Sequence, residues 1–385
     1  PYRAGIAYCT TRLAEELKKQ FDVHVVSFSK QYPRRFYPGS SDVDESLRDR
    51  APKDAQFLLD ITNPLTWLKT AWRVRRSKPD AVVLVWWIWV WALPYLAVIT
   101  LLRRRTKVIL QCHNIGDKEP ARWKSLLTNL VLRRGDVLVV HAETELLEAV
   151  QRAGGRRIVS THLPVHELGG AMPSRPDAKR TLGLEGRNVA LFFGHVRPFK
   201  GLDIALRAWA KVKSDVVLLV AGEAWWEGEA EYRRLAAGLG LRVAPAPSPA
   251  RAREETAGEG TGATQRTVVF DFRFIPDSEI ATYFAAADVV LAPYRIEAQS
   301  GVVLTAFHFG RPVIASRVGG IPQIVRDGIN GVLVPAEDPD ALAAAVDRFF
   351  ASADRAEFDA AAKQSAKELS WEDYANLVGR LVRQP

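Results

Sequence analysis

Two cations three residues apart, Arg197 and Lys200, stand in the turn FFGHVRPFKG, between a strand-like run and an amphipathic run. A Gly-containing turn at a helix N-terminus offers backbone amides and the positive end of the helix dipole. With two cations added it suits a diphosphate. An exposed basic turn is the plainer reading of the same residues, and the G-x-x-x-x-G-K-[ST] spacing of a Walker loop is absent. One hundred residues after Arg197, Glu297 precedes Gln299, Ser300 and Gly301 and then an apolar helical run, 302–309. A carboxylate there suits either a helix cap or a ligand whose hydroxyls it accepts, with the Gly301 and Val302 amides left for phosphate oxygens. A third candidate is His113, in the Cys112-His113-Asn114 turn. By itself it reads equally well as a strand-end histidine satisfying its own turn.

Ligand groups placed in this way need a scaffold that brings strand ends together. Strand-like apolar runs alternate with amphipathic helical runs throughout, the pattern of parallel sheets with helices on both faces. In the first half the pattern predicts helices over 10–20, 64–76 and 121–133 and strands over 23–28, 81–85, 107–111 and 137–141. In the second half it predicts strands over 189–194, 216–221, 268–270, 289–292 and 312–316, with a helix over 202–212 behind the basic turn. The phosphate-type turn and Glu297 thus both fall at strand ends, where open α/β sheets build their crevices. Periodicity lapses over 163–178, where Pro and Gly gather, and this is the expected break between two domains. A second irregular stretch, 243–267, reads as a surface insertion within the second half.

At 385 residues, 48% hydrophobic and 25% charged, the chain exceeds what one core usually serves. Cys9 and Cys112 are the only cysteines, which excludes a disulfide framework and a thiolate metal cluster and favours a reducing, cytoplasmic setting. The start of the chain has no signal-peptide pattern. A net charge of +9 favours an anionic partner without choosing among nucleic acid, nucleotide phosphates and a membrane surface. Residues 81–102 hold 22 residues without a charge, followed by Arg103, Arg104 and Arg105, a length and flank that a transmembrane helix also has. Pro94 divides that run into a strand-like and a helix-like part, which argues against a span. The aromatic cluster Trp86, Trp87, Trp89 and Trp91 beside Arg103 to Lys107 suits a lipid interface, or a Trp-rich core with a solvated charge run. Asp42-Val43-Asp44 matches a short metal-associated pattern but lies in a polar loop far from the basic turn, and reads as incidental. No His or Cys cluster has metal-ligand spacing.

Taken together, the motifs resemble a family. A G-x-x-x-x-x-K-G turn after the first strand of the second half, then an acidic residue, a small-residue helix start and F-G-R-P-V-I-A-S, is similar to the retaining family 4 glycosyltransferases. The likeness extends to Ala4-Gly5-Ile6-Ala7 as a glycine turn, Cys112-His113-Asn114 as a histidine turn and Ser370-Trp371 as the start of a final helix. The resemblance implies the GT-B fold: α/β, two Rossmann-like domains facing a central cleft. It implies an acceptor-side domain over 1–163, a nucleotide-sugar domain over 164–370 and a helix over 371–385 that returns to the first domain. It also implies a strand ahead of Tyr2 at the centre of the first sheet, so the expectation is that part of the chain precedes Pro1.

The same resemblance implies a hexosyltransferase that moves a sugar, with retention, from a nucleotide-diphosphate donor, UDP- or GDP-linked. Arg197 and Lys200 would neutralise the diphosphate, Glu297 bind hydroxyls of the transferred sugar, and His113 contact that sugar near the bond that breaks. Gly5, Gly194, Ser300, Gly301, Val302 and Thr305 would line the donor site. No cofactor, metal or nucleic acid is implied. The expected acceptor is a carbohydrate or a lipid-linked one, met by a cytoplasmic protein peripheral on the inner face of the plasma membrane. The chain departs from the family at Thr305, where a second Glu is common, at His195, where Arg is, and at Gln323. A hydroxyl at 305 lacks the charge assistance of a carboxylate. Those departures keep a non-catalytic sugar-nucleotide-binding scaffold open as the alternative. A nicotinamide oxidoreductase is disfavoured, since no G-x-G-x-x-G follows a strand.

Overall fold

The computed structural model describes residues 5–31, 54–102, 106–116, 121–167, 170–224, 228–244, 266–296 and 299–384. The chain divides into two compact units, Pro1–Pro164 with Leu369–Pro385, and Val165–Glu368. Asp42, Asp44, Arg103 to Arg105, Glu297 and most of 243–267 lie outside the described residues, as does the strand expected ahead of Tyr2.

In the first unit the strands are β1 (Val26–Lys30), β2 (Gln56–Asp60), β3 (Ala81–Trp86), β4 (Lys107–Cys112), β5 (Val137–Val140) and β6 (Arg157–Ser160). All pairings are parallel, in a two-stranded sheet β1-β2 and a four-stranded sheet β3-β4-β5-β6. Val108 to Leu110 of β4 and all of β5 are continuous apolar runs because helices cover both faces of the sheet. On one face lie helices Pro64–Ser77, Ala92–Leu101 and Arg122–Leu132, over a core of Leu110, Leu138, Trp86, Trp91 and Tyr95. On the other, helix Gly5–Lys18 and the final helix Trp371–Arg383 pack on Ile109, Val137 and Val139.

Trp86, Trp87 and Trp91 are buried, with Phe28 wedged against Trp87 and Trp91 at centroid distances of 5.8 and 4.1 Å. Trp86, Trp87 and Trp91 are therefore core, which corrects the lipid-facing reading of these three, whereas Trp89 is only half-buried. The apolar stretch 81–102 is split among β3, the short turn Trp89–Trp91 and the helix Ala92–Leu101. Among the described residues no helix is long and apolar enough to cross a membrane. Cys9 and Cys112 are both buried, and burial pushes the Cys9 thiol up to about 12.

The second unit has one parallel sheet ordered β13-β12-β11-β7-β8-β10-β9. These are β7 (Asn188–Phe193), β8 (Val216–Ala221), β9 (Arg242–Ala244), β10 (Thr267–Asp271), β11 (Val289–Ala292), β12 (Val313–Ser316) and β13 (Gly331–Val334). The order reverses beside β7, with β8 on one side and β11 on the other. That is the switch point at which doubly wound sheets open a crevice at their carboxyl ends.

Candidate functional site

β7 ends at Gly194, whose φ of 96° places it in the left-handed region. Its amide donates to Ala221 O at 2.9 Å, and Val196 N donates to Glu223 O at 2.9 Å, so the turn lies along the end of β8. The His195 ring nitrogen Nδ1 lies 3.8 Å from Glu223 Oε2. A single tight turn, Pro198–Lys200, leads to Gly201 and helix Leu202–Trp209. Gly201 has φ 71°, and a Cβ there would stand 2.0 Å from Pro293 O, so only glycine fits this approach.

That approach joins the two motifs that the sequence holds a hundred residues apart. Arg295 N donates to Phe199 O at 2.8 Å, and Arg295 Nη1 donates to Pro198 O at 2.6 Å. Both of its terminal nitrogens also reach the Asp203 carboxylate, at 2.9 and 2.7 Å, a planar two-point pairing. Burial opposes ionisation of Asp203, but the Arg295 hydrogen bonds and charge prevail and hold its carboxyl below the ordinary value. Lys200 Nζ sits 4.6 Å from the Tyr294 ring centroid and 3.3 Å from Tyr294 Oη. Tyr294 Oη in turn lies 3.4 Å from Ser300 Oγ. The Arg197 guanidinium lies 6.0 Å from the Phe199 ring.

Helix Gly301–His308 starts beside this turn, with Gly194 next to Val302. Ser300 is buried and caps the helix, its Oγ accepting from Val303 N at 3.3 Å. Gly301 is required because a Cβ would meet the buried His166 ring at 2.8 Å. Burial pushes the His166 imidazole down to about 4, so a neutral ring rests against a helix start that disfavours positive charge. Thr305 is only 2% exposed and its hydroxyl donates to Gly301 O at 2.8 Å. The single hydroxyl proton of Thr305 is thus spent inside its own helix. Glu297 falls between these elements in sequence but outside the described residues.

In the first unit, Gly5 opens helix Gly5–Lys18, and His113 follows β4 with its amide donating to Trp86 O at 2.8 Å. The His113 and His141 rings lie 5.4 Å apart, and the His141 and Tyr374 rings 5.7 Å apart. Burial, then the neighbouring His113, holds the His141 imidazole well below its ordinary value. The amide of Ile115, two residues after His113, donates to the Glu145 carboxyl. Tyr294, Arg295, Asp203, His141 and Glu145 did not stand out in the sequence. Each gains its role only from a partner distant in the chain. Among the described residues no three His, Cys, Asp or Glu side chains gather in a way that holds a metal ion.

Parallel sheets, with the turn after β7 fastened to the segment after β11 where the strand order reverses, define a doubly wound α/β protein. Residues 187–352 match the family described as glycosyl transferases group 1, and residues 4–166 match the glycosyl transferase 4-like domain. The D-inositol 3-phosphate glycosyltransferase of Mycolicibacterium gilvum is 31% identical over 263 residues, covering 66% of this chain and 53% of the relative. The chain thus spans about half the length of the curated relatives it matches. Among solved structures, Anabaena HepE in complex with UDP superposes with a TM-score of 0.71 at 16% identity, covering 98% of this chain and 96% of that one. A glycosyltransferase from Rickettsia africae superposes with a TM-score of 0.70 at 15% identity, covering 99% and 95%. The fold is GT-B, and the chain belongs to the family 4 glycosyltransferases.

Proposed function

We propose that this protein is a glycosyltransferase that takes a sugar from a nucleotide-diphosphate donor, UDP- or GDP-linked, and delivers it with retention of configuration. One observation carries the reading. The turn bearing Arg197 and Lys200 is fastened to the strand-end segment Pro293–Tyr294–Arg295 by the Arg295–Asp203 pair and the Gly201 approach. Such a fastening fixes two cations and two helix starts before ligand arrives. Charge that develops on a departing diphosphate, as the sugar carbon–oxygen bond breaks, then meets groups already in place. Glu297 accepts hydroxyls of the transferred sugar, and His113 serves the sugar from the first unit. The two cations and the helix amides meet the diphosphate charge without a metal ion.

The acceptor is a carbohydrate or lipid-linked hydroxyl compound. The relatives' name, D-inositol 3-phosphate glycosyltransferase, adds a phosphorylated cyclitol to the acceptors worth testing.

The test is donor turnover with UDP- and GDP-sugars, in the presence of EDTA, on wild type, Arg197→Ala, Lys200→Ala and Glu297→Ala. Each variant should fold and lose about 10²–10³-fold in turnover, as removal of a single charge-stabilising donor does. Full activity in EDTA is expected. Absence of donor hydrolysis and transfer in the wild type, with donor binding intact, would instead favour the scaffold reading that Thr305 and Gln323 suggested. Lipid-linked, oligosaccharide and D-inositol 3-phosphate acceptors, compared side by side, decide the acceptor.

A further inference from the structure

The three helices on one face of the first unit are apolar on the wrong side. Helix Pro64–Ser77 buries Thr70 and Ala71 toward the sheet, yet Leu65, Leu68 and Trp72 are exposed. Helix Arg122–Leu132 buries Thr128, Val131 and Leu132, and exposes Trp123, Leu126 and Leu130. Both exposed sets follow the i, i+3, i+7 spacing of a single helix stripe, where a solvated helix carries charge. Helix Ala92–Leu101 packs between the two and exposes Leu93. These seven side chains are half of the fourteen large hydrophobics exposed among the described residues.

Charge gathers on the same elements. The three helices carry Lys69, Arg73, Arg75, Arg76, Arg122 and Lys124 and no Asp or Glu. Lys69, Arg73 and Arg76 flank the Leu68 and Trp72 stripe, with the Arg76 guanidinium 5.0 Å from the Trp72 ring. Trp89 and Trp123 meet edge to face at 4.6 Å, with Lys124 Nζ 5.6 Å from the Trp89 ring.

Leucine and indole tips ringed by long cationic side chains fit a surface that is apolar within and anionic at its rim. We propose that the outer faces of these three helices form an interfacial docking surface for an anionic lipid bilayer. Trp72 and Trp123 sit at the acyl boundary, and Lys69, Arg73, Arg76 and Arg122 lie among the headgroups. Nucleic acid would match the charge but leave five leucines facing phosphate and water. The proposal deepens the acceptor reading above and rests on it for its purpose, though its contacts are independent of catalysis.

The experiment is co-sedimentation of the full chain with vesicles of neutral phosphatidylcholine and of phosphatidylcholine mixed with phosphatidylglycerol. Binding to the mixed vesicles alone is expected. Trp72→Ala with Trp123→Ala should lower that partition about tenfold through lost apolar burial. Lys69→Glu with Arg73→Glu should lower it at least as much through charge. Thermal shifts by UDP- and GDP-sugars, run on every variant, should be unchanged and so report an intact fold. No sedimentation with either vesicle, partition unaltered by both variants, or preference for duplex DNA over vesicles would overturn the proposal. A donor response without vesicle binding would remove this surface and leave the transferase reading in place. Vesicle binding without a donor response would do the reverse.

Discussion

Glu145 shows how one buried carboxyl shapes the turn after β4. It accepts the Ile115 amide two residues beyond His113, and beside it Gly116 leaves room for Glu148, whose carboxylate oxygens would stand 2.8 Å from a Cβ. Burial raises the Glu145 carboxyl from its ordinary 4.5 to about 7, more than the Ile115 hydrogen bond lowers it. The folded state therefore binds this proton more tightly than the unfolded chain. The resulting stability is fully present below about 4.5 and is lost as pH rises through about 7, with a ceiling of about 3 kcal/mol. Glu145→Gln keeps an acceptor for Ile115 but cannot ionise, so it should match the wild type in acid and exceed it in melting temperature above neutrality. His141 and His166, pushed down by burial, act in the opposite sense, but they do so in both proteins. The difference between the two melting curves across pH thus isolates Glu145. A constant difference at every pH would mean that this carboxyl does not titrate in the range.

Among the elements, the final helix is held by tertiary packing along one face. Trp371, Tyr374, Val378 and Leu381 recur along one face of helix Trp371–Arg383 and are buried against Cys9, Leu13 and Leu17 of the first helix. Ser370 caps it through Asp373 N at 3.1 Å, and Trp371 meets Tyr8 and Tyr374 edge to face at 6.0 Å each. Trp371→Ala should cost about 3–5 kcal/mol, read by denaturant unfolding of the first unit. A loss below about 1 kcal/mol, the level of a surface change, would show that the helix is not part of that core. Ser370 and Trp371 were legible in the sequence, as were strands such as 216–221 and 289–292, because a strand covered on both faces must be a continuous apolar run. Missed were Gln56–Asp60, Arg157–Ser160 and Arg242–Ala244, which are mixed in polarity, and Gly331–Val334, which is apolar but only four residues long. All four lie at sheet edges, and all but Gly331–Val334 carry exposed residues, so the apolar signal of those three is weak. The Trp run was ambiguous because a lipid face and a core share one composition. Only the packing of Phe28 and Tyr95 decided between them. Arg295 was illegible as a site residue because its partner, Asp203, stands 92 positions away.

For the molecule as a whole, charge is divided between the units. The first carries 29 Lys and Arg against 18 Asp and Glu, the second 24 against 26. The unit that holds Arg197, Lys200 and the helix starts at Leu202 and Gly301 is therefore close to neutral, slightly negative, while its proposed ligand is an anion. Capture of that ligand cannot rely on a long-range field of the second unit. On the function proposed above it comes from contacts at hydrogen-bond range, where Lys200 is held over Tyr294 and screening by salt is weakest. Raising salt from about 0.1 to 1 M shortens the screening length from about 10 to 3 Å. Over that range the affinity for UDP or GDP should fall less than about tenfold, whereas a protein neutralising many phosphates loses about 10³–10⁵ over a narrower change. Calorimetric titration of the nucleotide diphosphate at both salt levels measures this directly. A steep fall would assign capture to the +11 field of the first unit, and Arg197→Ala would then change affinity no more than any surface cation does.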